Sequence, residues 1–305
     1  MRKTLVKTTL IAILLCGIAF AGTYPPGLSY SSVLNGVLLQ SKNGQFRLNA
    51  IQGTFFPPNV EGWTILKKAG GGDIYRIEFK TQTLKAPYFY MDFWKTTDLR
   101  TNKNLGAGWF SLTETGDYVL DFYLPTGKFH TFPFSVSKLS AGDPFAGGDY
   151  YFLEGDWADW GYLYYRGAKP DQNLQWKVWL RNKAAENYRD AKVRVEIVRD
   201  RDKKLICTSR ENTTYSLNPK WVRYAFDMVF PPEQTSYGKY FKAKDLLAVD
   251  GAYTLKMTVN GKHYGTWKFS IKGGKPQYTG RTLRGKADPL TFVEGGLDAF
   301  WYKKQ

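Results

Sequence analysis

Between Ser140 and Trp160 the sequence places five acids, Asp143, Asp149, Glu154, Asp156 and Asp159, with no Lys or Arg among them. Carboxylates gathered in one stretch could ligate Ca²⁺, which takes about six to eight oxygens. Their spacing is not that of an EF-hand loop, and salt bridges to basic residues elsewhere account for the same acids. The stretch is also aromatic, with Trp157, Trp160, Tyr162, Tyr164 and Tyr165. Rings beside carboxylates suit a sugar platform, the rings stacking on pyranose faces and the acids accepting hydroxyl hydrogen bonds. Trp157, Trp160 and Tyr162 are the ligand-binding candidates on that reading. The competing expectation is that these rings are packed at a domain interface. A glycosidase needs one acid pair flanking the scissile bond, and no pair separates itself from the other acids.

Histidine and cysteine chemistry has little to work with. His130 and His263 are the only histidines, and both fall at or just after matching turns of an internal repeat, which favours a structural role. Cys207 lies in the apolar run Leu205-Ile206-Cys207 and reads as a buried core thiol. With Cys16 inside the segment read below as a signal, three such residues are left, widely spread, and do not make a zinc site. A nucleophile elbow, a Walker A loop and a dinucleotide fingerprint are all missing from the sequence. The expectation is a protein without a catalytic centre or cofactor, calcium being the one metal the acids would suit.

The elements that must position these residues are strands. Leu174, Trp176, Val178 and Leu180 alternate with Gln175, Lys177, Trp179 and Arg181, which points Trp176 at a core. Val193, Val195 and Ile197 alternate with charged residues, and Val222, Tyr224, Phe226, Met228 and Phe230 run to a stop at Pro231-Pro232. Tyr75, Ile77 and Phe79, then Phe89, Met91 and Phe93, do the same earlier in the chain. An aromatic share of 17% adds to the tilt toward β structure, because rings fit pleated, half-buried surfaces. No stretch carries a long helical period. The chain reads as all-β.

A repeat organises those strands. Gly116-Asp117-Tyr118-Val119-Leu120 recurs as Gly251-Ala252-Tyr253-Thr254-Leu255, and Phe132, Phe134, Ser135 and Val136 recur as Trp267, Phe269, Ser270 and Ile271. Both copies read as strand, glycine-containing turn, strand. The second copy, Asp250-Gly251-Ala252-Tyr253, resembles the tyrosine corner of immunoglobulin-like β-sandwich domains, and Thr115-Gly116-Asp117-Tyr118 is similar. The resemblance implies two tandem sandwiches of that superfamily, in which each Tyr hydroxyl bonds backbone upstream. Leu120 and Leu255 stand where antibody domains carry their second disulfide cysteine, as in the disulfide-free members. The resemblance carries fold and not function.

The expected boundaries follow from composition. Residues 1–21 read as a secretory signal, with Arg2, Lys3 and Lys7 before an apolar run and Ala19-Phe20-Ala21 as the cleavage site. Residues 22–139 are the first domain, 140–149 a Gly/Ala/Asp/Pro linker, 150–272 the second domain and 273–305 a tail. In the tail Phe292-Val293-Glu294-Gly295 echoes Phe152-Leu153-Glu154-Gly155, and Phe300, Trp301 and Tyr302 follow. Such a strand is costly to leave in water, so Phe292, Val293, Phe300, Trp301 and Tyr302 are expected to dock on a sheet edge of this chain or of a neighbour.

Charge points outward to partners. The whole chain carries +16, and removal of the signal leaves +13. From Gly161 to Gln305 there are 28 basic and 14 acidic residues, whereas Gly22 to Leu139 has 12 and 8. That places any anion-binding surface on the second domain and tail. The expectation is a secreted or periplasmic binding or structural protein, not an enzyme, engaging an anionic glycan, an envelope component or a protein partner. Sequence-specific nucleic acid is not expected, nor a transmembrane segment after signal removal. The alternatives are a carbohydrate-active enzyme or accessory module built on the acidic-aromatic junction, and a periplasmic assembly chaperone or self-assembling subunit.

Overall fold

The computed structural model describes residues 27–28, 33–34, 36–54, 59–85, 88–139, 149–166, 169–181, 188–210, 214–217, 220–277 and 299–305. They are overwhelmingly antiparallel strand, so the protein is all-β and sandwich-like. In chain order the early strands are β1 (Gly27–Leu28), β2 (Gln40–Lys42), β3 (Gln45–Arg47), β4 (Ile51–Thr54), β5 (Glu61–Lys68), β6 (Asp73–Lys85), β7 (Tyr88–Asp98), β8 (Lys103–Asn104), β9 (Trp109–Ser111), β10 (Gly116–Leu124) and β11 (Gly127–Leu139). Then come β12 (Tyr150–Glu154), β13 (Trp160–Tyr164), β14 (Gln175–Leu180), β15 (Tyr188–Arg199), β16 (Lys204–Ser209), β17 (Thr214–Leu217) and β18 (Val222–Val229). The short helix α1 (Ala243–Leu247) precedes β19 (Gly251–Val259), β20 (Lys262–Lys272), β21 (Lys275–Pro276) and β22 (Ala299–Lys303).

Two compact units share the chain. One holds the described residues up to 38 with 46–111 and 117–133; the other holds 39–45, 112–116 and the described residues from 134 on. Of the expected linker, only Asp149 is among the described residues.

The first unit orders its strands β1-β4-β7-β6-β5-β10-β11. Side chains alternate as period two requires, so Leu66, Ile77, Phe79, Met91, Leu120 and Phe122 are buried while Lys67, Arg76 and Glu78 lie on the other face. Phe46 and Phe110, from β3 and β9, stack at 5.8 Å, and the Tyr75 hydroxyl donates to the Ser111 carbonyl at 3.0 Å.

In the second unit the strand order is β20-β19-β15-β16-β18-β14-β13-β22. Two four-stranded layers meet on one side through only two residue pairs between β16 and β18, Thr208 with Val229 and Ser209 with Met228. On the other side β22 returns to β20 through a bridge between Trp267 and Lys304 and a bond from the Gln305 N–H to the Thr266 carbonyl at 2.9 Å. The sandwich is thereby nearly a closed barrel. Its interior is aromatic, with Trp176 edge-on to Trp267 at 5.1 Å and Tyr302 against Phe269 at 5.2 Å. Gly161 faces Trp176 so closely that an added Cβ would overlap the indole, which is why β13 carries a glycine there.

The repeated hairpins, β10–β11 and β19–β20, bury matching residues. Phe132, Phe134 and Val136 are buried, as are Trp267, Phe269 and Ile271. Tyr118 and Tyr253 are both buried, and the Tyr253 hydroxyl donates to the Val249 carbonyl at 2.6 Å. The second hairpin turns through Asn260 and Gly261 at φ of 50° and 76°, the pair of positive values that a tight two-residue hairpin needs. One difference from the sequence pattern stands out on β14. Trp179 falls on the polar side of the alternation yet is buried, because Trp301 from β22 stacks on it at 6.0 Å.

Candidate functional site: a basic sheet face

Three of the five acids singled out in the sequence, Asp149, Glu154 and Asp159, are each paired with a cation. Glu154 accepts from the Arg181 guanidinium at 2.5 Å and from the Ser137 hydroxyl at 2.9 Å. Arg181 lies 3.8 Å over the Phe152 ring, and its burial pulls the guanidinium pKa down while Glu154 opposes the shift. Asp149 pairs with Lys138 at 2.6 Å and Asp159 with Lys304 at 3.2 Å; Asp156 is exposed. Asp143 lies outside the described residues. Among the described residues no group of three or more His, Cys, Asp or Glu is placed to hold a metal ion.

The aromatic candidates are core residues. Trp157, Trp160 and Tyr162 are 0%, 8% and 3% exposed, so no ring face is open for a sugar to stack on. Tyr162 packs on Trp301 at 4.3 Å and Trp157 edge-on to Trp221 at 6.0 Å. Of the tail residues, Trp301 and Tyr302 are buried and Phe300 stacks on Tyr165 at 5.5 Å; β22 pairs antiparallel with β13 over its whole length. Phe292 and Val293 lie outside the described residues. His263 is exposed beside the Thr266 hydroxyl, and His130 sits edge-on to Phe122. Among the described residues no helix is long and apolar enough to cross a membrane.

What the fold does assemble is charge. Five cations of the first unit are ion-paired: Lys67 and Lys128 reach Asp121 at 2.7 and 3.5 Å, Arg76 and Lys95 reach Glu78 at 3.4 and 3.7 Å, and Arg100 reaches Asp98 at 2.9 Å, while Lys80 and Lys103 are exposed. In the second unit Lys256, Lys262, Lys268, Lys272, Lys275 and Lys303 are all exposed, and none is ion-paired with a described acid. They come from β19, β20, β21 and β22, the strands around the repeated hairpin. Register and alternation set Lys256, Lys268 and Lys272 outward, interleaved with hydroxyls: Lys256 lies across from Thr266, Lys268 across from Thr254, and Ser270 stands between Lys268 and Lys272.

Acids near this face are already engaged. Glu196, opposite Lys256 in register, accepts from Arg194 at 2.8 Å. The N–H groups of Gly273 and Gly274 hold Asp250 below its ordinary pKa, with Lys272 adding to the effect. The Arg199 bond holds Asp202 down at about 2. At the barrel seam burial pushes the Tyr264 hydroxyl up to about 12, and Lys304 lies 5.0 Å from its ring. A flat face of unpaired ammonium groups and hydroxyls attracts anions through charge and holds them through hydrogen bonds. Single-residue motif reading passes over it. Its sequence signals are the excess of basic residues after Gly161 and the alternation Lys268-Phe269-Ser270-Ile271-Lys272, which points both lysines and the serine to one side.

The chain matches no family model, no curated protein and no solved structure. The geometry is therefore the ground for any functional reading.

Proposed function

We propose that this chain is an exported binding protein of the cell envelope or extracellular space, and that it holds an anionic polysaccharide on the outer face of β19 and β20. The observation that carries this reading is a concentration of cations: six exposed lysines without an ion-pair partner among the described acids gather on the strands around the second hairpin, whereas five cations of the first unit pair with Asp121, Glu78 or Asp98. Unmatched surface cations repel one another and slightly weaken the fold, so their concentration on one hydroxyl-bearing face favours a ligand that supplies the missing charge. The face displays no exposed aromatic ring among its described residues, which disfavours single-stranded nucleic acid, since bases need a stacking partner. The immunoglobulin-like kinship of the two hairpins belongs to the same proposal. It is supported by the bond from Tyr253 to Val249, four residues upstream, as a tyrosine corner requires.

Chromatography of the full chain on heparin and on immobilised polyuronate tests the reading. Binding should weaken steeply with salt, because each lysine that meets the polymer displaces a counterion and screening shortens to about 8 Å at physiological ionic strength. Lys256→Glu with Lys268→Glu should elute at markedly lower salt than the parent. Equal elution of the two proteins would remove the assignment to this face.

A further inference from the structure

The barrel seam opens a cleft of about 450 Å³ lined by Asp200, Lys268, Ser270, Lys303, Lys304 and Gln305. The edge of β20 explains its position. Thr266 accepts from the Gln305 N–H at 2.9 Å, and Ser270 accepts from the Gln277 N–H at 2.8 Å. Between those two bonds the edge at Lys268 faces the cleft. Lys304 is matched by Asp159 at 3.2 Å, whereas Asp200 keeps its charge, since the Thr254 hydroxyl that donates to it at 2.7 Å is neutral, so the cleft sets two exposed cations against one carboxylate. Lys268 and Lys303 are the exposed cations left over, and they come from opposite margins of the seam, β20 and β22.

We propose that this cleft receives one carboxylate or sulfate group of the anionic polysaccharide, and that the bound group ties β22 to β20. The inference rests on the function proposed above. Five residue pairs join β22 to β13, whereas among the described residues the backbone contacts toward β20 are the Trp267–Lys304 bridge and the Gln305 bond, beside the packing of Tyr302 on Phe269. The β20 margin is thus the weaker of the two and the first to open in local fluctuations. An anion between Lys268 and Lys303 contacts both margins only when the seam is shut. It binds the closed state selectively and shifts the population toward it. Ser270 supplies a hydroxyl to the same group.

Hydrogen exchange of the full chain, alone and with heparin or polygalacturonate, tests this. Exchange of the amides of 299–305 should slow several-fold when either polymer binds; slowing by heparin alone or by polygalacturonate alone identifies sulfate or carboxylate as the group held. Lys268→Ala with Lys303→Ala should keep the ligand-free exchange rates, bind roughly threefold to tenfold more weakly, and lose the ligand-induced slowing. Lys256→Ala with Lys262→Ala should bind more weakly yet keep that slowing. Binding by the parent without slowing, or slowing that survives in the Lys268/Lys303 variant, overturns the cleft and leaves the basic face standing. Absence of binding to both polysaccharides overturns the functional reading itself. Tighter binding to single-stranded nucleic acid or to phosphatidylglycerol vesicles overturns the choice of polysaccharide.

Discussion

Trp267 and Lys304 meet as backbone partners where, among the described residues, the strand order of the second unit returns on itself. The Trp267 indole N–H also donates to the Asp159 carbonyl at 3.3 Å, and the same carbonyl accepts from the Lys304 N–H at 2.6 Å. One oxygen at the start of β13 therefore anchors both margins of the seam. The closing strand carries two of the largest buried side chains of the chain, Trp301 and Tyr302.

Trp301→Ala should accordingly destabilise the protein by about 3–5 kcal/mol, the cost of emptying a packed aromatic site. Trp94, half exposed, is the control, and Trp94→Ala should stay within about 0.5 kcal/mol. Urea denaturation of both variants decides it; similar midpoints for the two would show that β22 is not part of the cooperative core.

Gly161→Ala is expected to be damaging despite its small size. The added methyl meets the Trp176 indole, which is itself pinned by Trp267, so the strand must shift or the ring must leave its rotamer. Such overpacking costs about 1–3 kcal/mol. Gly72→Ala, where nothing lies near the added carbon, should be nearly silent in the same thermal melts.

Tyr253→Phe removes the hydroxyl that donates to Val249 and should cost about 0.5–1.5 kcal/mol. An unchanged denaturation midpoint would take away the corner's structural role and with it the support for immunoglobulin-like kinship.

Asp121 gives the first unit a defined acid sensitivity. Its carboxylate is almost fully buried; burial raises its pKa, but bonds from Lys67 and the Thr131 hydroxyl outweigh that and hold it below its ordinary value. A depressed carboxyl contributes stability above its unfolded pKa of about 3.9 and loses it as the pH falls through the folded pKa. Asp121→Asn should therefore cost about 1–3 kcal/mol near neutrality. The gap between parent and variant should narrow as the pH drops below about 4, which denaturation series at several pH values will show. A gap that is constant across that range would mean the carboxylate charge is not what Lys67 recognises.

Cys207 is fully buried, and burial pushes its thiol well up from the ordinary range. A thiol reagent such as DTNB should leave Cys207 of the native chain unmodified and label it in denaturant. Rapid labelling of the native protein would place Cys207 at an accessible position instead.

Much of the architecture was legible in the residues alone. Strand identity, the inward side of β10, β11, β19 and β20, and the burial of Tyr118, Tyr253 and Cys207 follow from period-two alternation and turn chemistry, which are local properties of the backbone. The resemblance between the hairpins is local too, since the same pattern of apolar residues buries the same positions twice. The net positive charge of the second half was also plain from counting.

Partner choice was not local, and only the tertiary structure decided it. Glu154 meets Arg181, 27 residues away, and nothing in the acidic stretch marks that pairing over calcium or solvent. Trp179 and Tyr162 are buried because Trp301 arrives from the far end of the chain and covers a face that alternation alone assigns to water. The lysines of β19, β20 and β22 become one surface because register brings them together, and their charge stays unmatched because the nearby acids are bound elsewhere. Strand pairing at long range leaves no periodic trace in a sequence, since it is set by which hydrophobic faces and hydrogen-bonding edges remain uncovered once the local elements have formed.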